Sequence, residues 1–279
     1  MNDFSLSTLE ETGLVTTELV AKARETRIGG GSRREFFATT AKLAGATALG
    51  AAGIGLIQPI AAAAATTAAA PNTDTYQDIL NIAATAEALA TTFYYVSLNH
   101  QKELPNVNSD ANRNYFQAAT VQEYTHLQIL QSLGGKPLAT KFFFPTKMFT
   151  DETTFFATAS LLEDYFISAY IAAAMEFSGA VSSGITQPFP VGIGLAVQIA
   201  GIECEHRALL RVASSSNPPN NRIIESALVS SVSGAVPPLT PFLSGGDGYT
   251  VEHHLPSAGK IDQRSSPYGF SSFPAYTIV

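Results

Sequence analysis

The chain carries one cysteine, Cys204, and no tryptophan in 279 residues. A single thiol cannot close an intrachain disulfide, so no disulfide framework holds this fold. It also excludes zinc-finger, zinc-ribbon and iron–sulfur sites, which need several thiolates. Charge is scarce too: Asp, Glu, Lys and Arg make up 14%, against ~25% in ordinary soluble domains. The balance is −7, the wrong sign for a nucleic-acid partner. No run of ~20 strongly apolar residues occurs, which excludes a multi-span membrane protein. What is plentiful is apolar residues, 46% of the chain, enough to bury one large core or two small ones.

Residues 1–70 read differently from the rest. Ser32-Arg33-Arg34-Glu35-Phe36-Phe37 is followed by an Ala/Gly-rich stretch to about Ile57, then Pro59 and the alanines Ala61–Ala65. A basic pair, a weakly apolar middle and a small-residue zone, in that order, mark an export signal. The segment resembles a twin-arginine signal, and the Gly/Ala-rich middle with Lys42 fits that route. The resemblance implies the twin-arginine export machinery as a partner, folding before export, and a periplasmic, extracellular or cell-envelope location. The chain from Pro71 on keeps 10 Lys+Arg against 17 Asp+Glu, and so the same −7.

Beyond residue 70 the sequence punctuates itself into helices. Asp74 with Gln77 is a capping-box-like start, and a helical pattern runs to about Gln101. Ser109-Asp110 opens a second helix, stopped by Gly134-Gly135 and Pro137. Lys136–Phe149, with Phe142-Phe143-Phe144-Pro145, reads as an extended crossover. Thr150-Asp151-Glu152 opens a third helix to about Val181, broken by Ser182-Ser183-Gly184, and a fourth runs from about Val191 to Val212. No alternation is strong enough to predict a sheet. The expected fold is all-α: a four-helix bundle over 71–216 with one longer crossover. A Pro/Gly/Ser-rich tail, 217–279, is expected to pack on it, with a short helix around Ile223–Val232.

The acids sit where acids should not. Glu87 lies on the apolar stripe of the first helix, Glu123 and His126 on that of the second, Glu163 on the third, Glu203 and His206 on the fourth. A bare buried carboxylate costs several kcal/mol, so it needs a partner or a proton. Four of them on four helices point at a shared cationic centre. Glu-x-x-His occurs twice, at Glu123–His126 and Glu203–His206. The i, i+3 spacing puts both side chains on one helix face, where they can hold one metal together. Chance placement of 10 Glu and 5 His in 209 residues gives about 0.24 such pairs. The plan is also doubled: Glu87 precedes Glu123 by 36 residues and Glu163 precedes Glu203 by 40, while Tyr94 and Tyr170 each follow a Glu by seven. Four carboxylates and two neutral imidazoles sum to −4, which two divalent ions cancel. Emptied, the cluster is expected to repel itself and raise its pKa values. Oxygen-rich ligands with two imidazoles suit iron or manganese.

Glu, Glu-x-x-His, Glu, Glu-x-x-His, one unit per helix, resembles the ferritin-like di-iron carboxylate proteins. Ala86-Glu87-Ala88-Leu89 with Phe93-Tyr94, Gln122-Glu123 with His126 and Leu130, Ser168-Ala169-Tyr170, and Glu203-x-Glu205-His206-Arg207 resemble the exported bacterial ferritin-like-domain family. The resemblance spans about Tyr76–Arg211. It implies two Fe ions, or Mn, with Glu123 and Glu203 bridging both. Glu87 with His126, and Glu163 with His206, are the implied terminal ligands of one metal each. It further implies redox chemistry with O2 or peroxide, ferroxidase-like, by a non-haem oxidoreductase. The alternative is a non-enzymatic stress or desiccation protein of the envelope, its metal structural or its site vestigial. A closed iron-storage cage does not suit the tail; a smaller homo-oligomer stays open.

Other chemistry-bearing residues have plainer readings. Glu176 lies thirteen residues beyond Glu163, too far along the helix to share its site. Glu205 should face away from Glu203. Tyr94 and Tyr170 are candidates for hydrogen bonds to the ligands, while Tyr95 and Tyr124 read as packing. Cys204 reads as a small packed side chain, His253-His254 as a solvated loop, and His100 as a helix-end residue.

Overall fold

The first helix, α1 (Tyr76–Ser97), starts on a capping box one residue from the expected position: Thr75 accepts from the Asp78 N–H, and Asp78 accepts from the Thr75 N–H. α1 ends early, at Ser97. The segment up to α2 (Arg113–Ser132) is a series of turns rather than the start of the second helix at Ser109. The reason is local. Asn108 donates to the Ser97 and Leu104 carbonyls, and Ser109 and Asn112 donate to that of Asn106. Such side-chain bonds offer the backbone an alternative to the helix. α2 stops as expected: Gly134 has φ +99°, and the Gly135 N–H returns to the Leu130 carbonyl.

The computed structural model describes residues 74–182, 189–215, 222–265 and 278. The segment expected to carry the export signal, and the connections at 183–184 and 216–219, lie outside them.

The crossover after α2 contains β1 (Lys141–Pro145). α3 (Glu152–Ser182) begins on Asp151, whose carboxylate accepts from the Thr154 N–H and hydroxyl. α4 (Phe189–Ala213) returns along it. A 3-10 turn (Ser233–Ala235), α5 (Val236–Ser244), β2 (Tyr249–His254) and α6 (Ala258–Ser265) complete the order. α1 packs chiefly on α2, and α3 on α4, so two helix hairpins face each other. The fold is all-α in character, as the sequence predicts. Among the described residues no helix is long and apolar enough to cross a membrane.

Two expectations fail in the tail. A sheet does exist: β1 and β2 pair antiparallel, with Phe142 opposite His253 and Phe144 opposite Val251. Each strand has only five or six residues, too short a period-2 signal to predict. Pairing across more than a hundred residues makes it. Phe142 and Phe144 point into the core, and Phe144 meets Phe149 and Phe242 edge to face.

The helix expected around Ile223–Val232 is absent, and one forms at Val236 instead, with proline in its first turn. Two backbone N–H groups of that segment, and the next one beyond it, are taken by the bundle. Val229 donates to the Ser168 hydroxyl, Val232 to Glu176 and Ser233 to Asp74. Glu176 thus serves as the tail's anchor, far from Glu163. Arg207 and Arg222 both pair with Asp164 and Glu225, tying residues 222–225 to α3 and α4.

Candidate metal centre

The apolar stripes of all four long helices meet around six polar side chains. Glu123, Glu163 and Glu203 are 0% exposed, Glu87 and His206 2% and His126 8%. Each carboxylate sits on the apolar stripe of its helix, shut off from the surface. These are the six residues singled out from the sequence, and the fold brings all of them together.

They fall into two groups of four. Glu87, Glu123, His126 and Glu203 have donor atoms within 4.8 Å of one another, and so do Glu123, Glu163, Glu203 and His206. Glu123 and Glu203 belong to both groups, and each divides its oxygens between them. Glu123 presents Oε2 to His126 Nδ1 at 3.7 Å and Oε1 to His206 Nδ1 at 2.8 Å. Glu203 presents Oε1 to His126 Nδ1 at 3.4 Å and Oε2 to His206 Nδ1 at 3.2 Å. Glu87 lies 3.3 Å from His126 Nδ1.

The outer oxygens of the flanking carboxylates are held by tyrosines across the bundle. Tyr94 of α1 donates to Glu163 of α3 at 2.6 Å, and Tyr170 of α3 donates to Glu87 of α1. The doubled sequence plan is therefore a reciprocal exchange between hairpins. Burial, then Glu163 beside Tyr94 and Glu87 beside Tyr170, raises both phenols well above their ordinary range. Both stay protonated and act as donors.

Burial and the carboxylates Glu123 and Glu203 raise Glu87 well above the carboxylate range. Burial, Glu203 and Glu123 do the same to Glu163. Glu123 departs from the uniform upward shift expected of an empty cluster. Burial pushes it up, but His206 and His126 outweigh that and hold it low. Burial opposes charge on both imidazoles, yet the carboxylates prevail. Glu87 first among them raises His126 well above its usual value, and Glu123 lifts His206 to about 10.

Does the donor set fit a metal? Both oxygens of Glu123, Oε2 of Glu163 and Oε1 of Glu203 are buried without a well-aligned hydrogen bond, and those of Glu123 and Glu203 face the imidazoles, as ion pairs. Orphaned buried oxygens are costly, and four of them converging on two imidazole nitrogens are the donors a hard or borderline divalent cation takes. The residues fit.

The chain belongs to the ferritin-like domain family. The match spans residues 75–216, the four long helices and therefore all six clustered residues. No curated protein and no solved structure matches the chain.

Gln122, beside Glu123 in the sequence, also belongs to this ferritin-like site. Gln122 Oε1 lies 2.9 Å from His206 Nε2. In the neutral ring that a metal needs, accepting from Nε2–H fixes the tautomer and turns the Nδ1 lone pair inward. The signal was its place beside Glu123, but only the approach of α2 to α4 gives it a target. Replacing it, Gln122→Leu, is expected to weaken metal binding at the His206 half of the cluster by about 10–100-fold. Calorimetric titration with Fe(II) under anaerobic conditions checks this; unchanged binding would refute it.

The remaining candidates lie elsewhere. Glu205 is exposed, Tyr95 and Tyr124 pack at the margin of the core, and Cys204 is half-buried with a free thiol. His100 and His253 pack their rings on Phe149, so His253 is not the solvated loop residue expected.

Proposed function

We propose that this is an exported ferritin-like protein that holds two iron ions in the six-residue cluster and uses them for ferroxidase-like redox chemistry with O2 or peroxide. The division of each central carboxylate's oxygens between the two imidazoles carries the reading. Glu123 and Glu203 would then bridge, with Glu87 and His126 completing one site and Glu163 and His206 the other. Oxygen donors with two imidazoles and no thiolate favour iron, with manganese the nearest variant.

When bound, two Fe(II) ions supply two electrons, which with two protons reduce O2 to H2O2, or H2O2 to two waters. The protein's own part is positional. Tyr94 and Tyr170 hold the flanking carboxylates by one oxygen each and leave the other for the metal. The alanine and aromatic shell excludes water, which strengthens every charge interaction inside. His126, the most exposed of the six, marks the side nearest solvent. Export rests on the twin-arginine-like segment and on a fold that needs no disulfide.

The test is to load the full chain anaerobically with Fe(II), then add O2 or H2O2 while following oxidant consumption and the ferric absorbance. Consumption of about one O2 or one H2O2 per two Fe(II) is expected. Metal bound without consumption of either oxidant would replace this reading with a structural centre. Cell fractionation of an Arg33→Lys/Arg34→Lys variant checks export: the variant should stay in the cytoplasm, and unchanged export would refute the route.

A further inference from the structure

All five histidines of the chain fall in two places. His126 and His206 belong to the metal cluster. His100, His253 and His254 line a single open cavity of ≈ 530 Å³. Its walls are the end of α1 with Asn99, the last residues of β2, and Ser257 and Lys260 at the start of α6. A few hundred cubic ångströms is the size that small ligands occupy.

Two of the lining imidazoles are held by aromatic packing behind the wall. The His100 ring stacks on Phe149 at 5.6 Å, and the His253 ring meets the same Phe149 at 5.2 Å, edge on. His253 also lies against Phe144. The pairing of β1 with β2 sets this, by placing His253 opposite Phe142.

Several charged groups of the described residues lie around it. Glu103 approaches His100 at 3.9 Å. Glu252 sits between Lys141 and His254, 3.3 Å from each. Lys260 adds a fixed charge. Each imidazole that takes a proton adds one positive charge. Burial, then His100 and His254, holds His253 below its usual value: the neighbouring imidazoles oppose its charge. A bound anion removes that opposition. A bound cation does not, and among the described residues the groups converging closely enough for one cation are the two already assigned.

We propose that this cavity binds a small oxyanion, a phosphate or a carboxylate, with Lys260 and the imidazoles of His100, His253 and His254 as its donors. The start of α6 adds the positive end of a helix dipole to the same wall.

The experiment is titration of the full chain with inorganic phosphate and with succinate at pH 6 and pH 8, read on the imidazole NMR signals. Either anion should move the signals of His100, His253 and His254 and leave those of His126 and His206 in place. Binding should be at least about tenfold tighter at pH 6 than at pH 8. A response to one anion alone supports the proposal and names the source. A His100→Asn/Lys260→Ala variant should bind at least about tenfold more weakly, with melting temperature and metal content unchanged. Unmoved signals, equal affinity at the two pH values, or full binding by the variant would overturn the proposal. So would Zn(II) binding to these three imidazoles without competition from phosphate.

Discussion

The double variant Glu123→Ala/Glu203→Ala is expected to bring bound metal from about two ions per chain to none. Each of these side chains stands in both four-residue groups and presents a separate oxygen to each imidazole. Removing both leaves each half with one glutamate and one histidine, too few donors for tight binding. Metal analysis after anaerobic loading with Fe(II) gives the count. Alanine leaves cavities in a closely packed interior, which cost stability on their own account. The companion Glu123→Gln/Glu203→Gln keeps the volume and removes the charge, and it should lose metal as completely. Helical circular dichroism and the melting temperature separate loss of the site from loss of the fold. Two ions retained by a folded variant would refute the assignment of these carboxylates.

The second large effect is in protons. Loading the site with divalent metal at pH 7 is expected to release protons. Burial and neighbouring carboxylates raise Glu87 and Glu163, and the carboxylates raise both imidazoles, so these groups hold protons more tightly than they do in free solution. The metal needs ionised carboxylates and neutral imidazoles, so protons leave as positive charge arrives.

The sign of the pH dependence follows. A histidine raised in the folded state stabilises it below the unfolded value of ~6.5. That contribution is lost as pH climbs through the folded value, about 10 for His206. Raised Glu87 and Glu163 act in the same direction, because the unfolded chain gives up those protons sooner. Glu123, held low, contributes in the opposite sense: its stabilisation is present above the ordinary carboxylate range and lost only in acid. From pH 6 to pH 9 the metal-free protein should therefore lose stability while the loaded protein does not. The metal-induced rise in melting temperature should grow with pH. Calorimetric titration in buffers of different ionisation enthalpy counts the protons, and thermal melts at both pH values give the trend. A rise in melting temperature that is independent of pH, or no proton release, would refute this account.

The four helices were legible because each carries a long apolar stripe between chemical stops. Gly134 needs a positive φ that other residues resist, and Asp151 caps by local bonding. The six site residues were legible for a related reason. A carboxylate on an apolar stripe is an exception that burial makes expensive, and Glu-x-x-His needs only helix geometry to bring its two ends together. Signals confined to one turn of one helix survive in the sequence.

What tertiary structure decided involves partners far apart in the chain. That Tyr94 serves Glu163 and Tyr170 serves Glu87 follows from how the hairpins face. Helix periodicity inclines each tyrosine inward, yet nothing in it names an acceptor 69 or 83 residues away. Gln122 acquires its function only when α4 presents His206. The tail shows the same rule from the other side. Ile223–Val232 has a passable helical pattern, but Ser168, Glu176 and Asp74 take hydrogen bonds from its end, and the segment follows them instead. β1 and β2 pair across more than a hundred residues, and that pairing sets His253 on Phe149 beside His100. The sequence by itself determined the helices and the identities of the ligand-type residues, because both depend on contacts within a few residues. The tertiary structure decided which hydrogen bonds hold those residues and where the other histidines gather, because that depends on which distant surfaces meet.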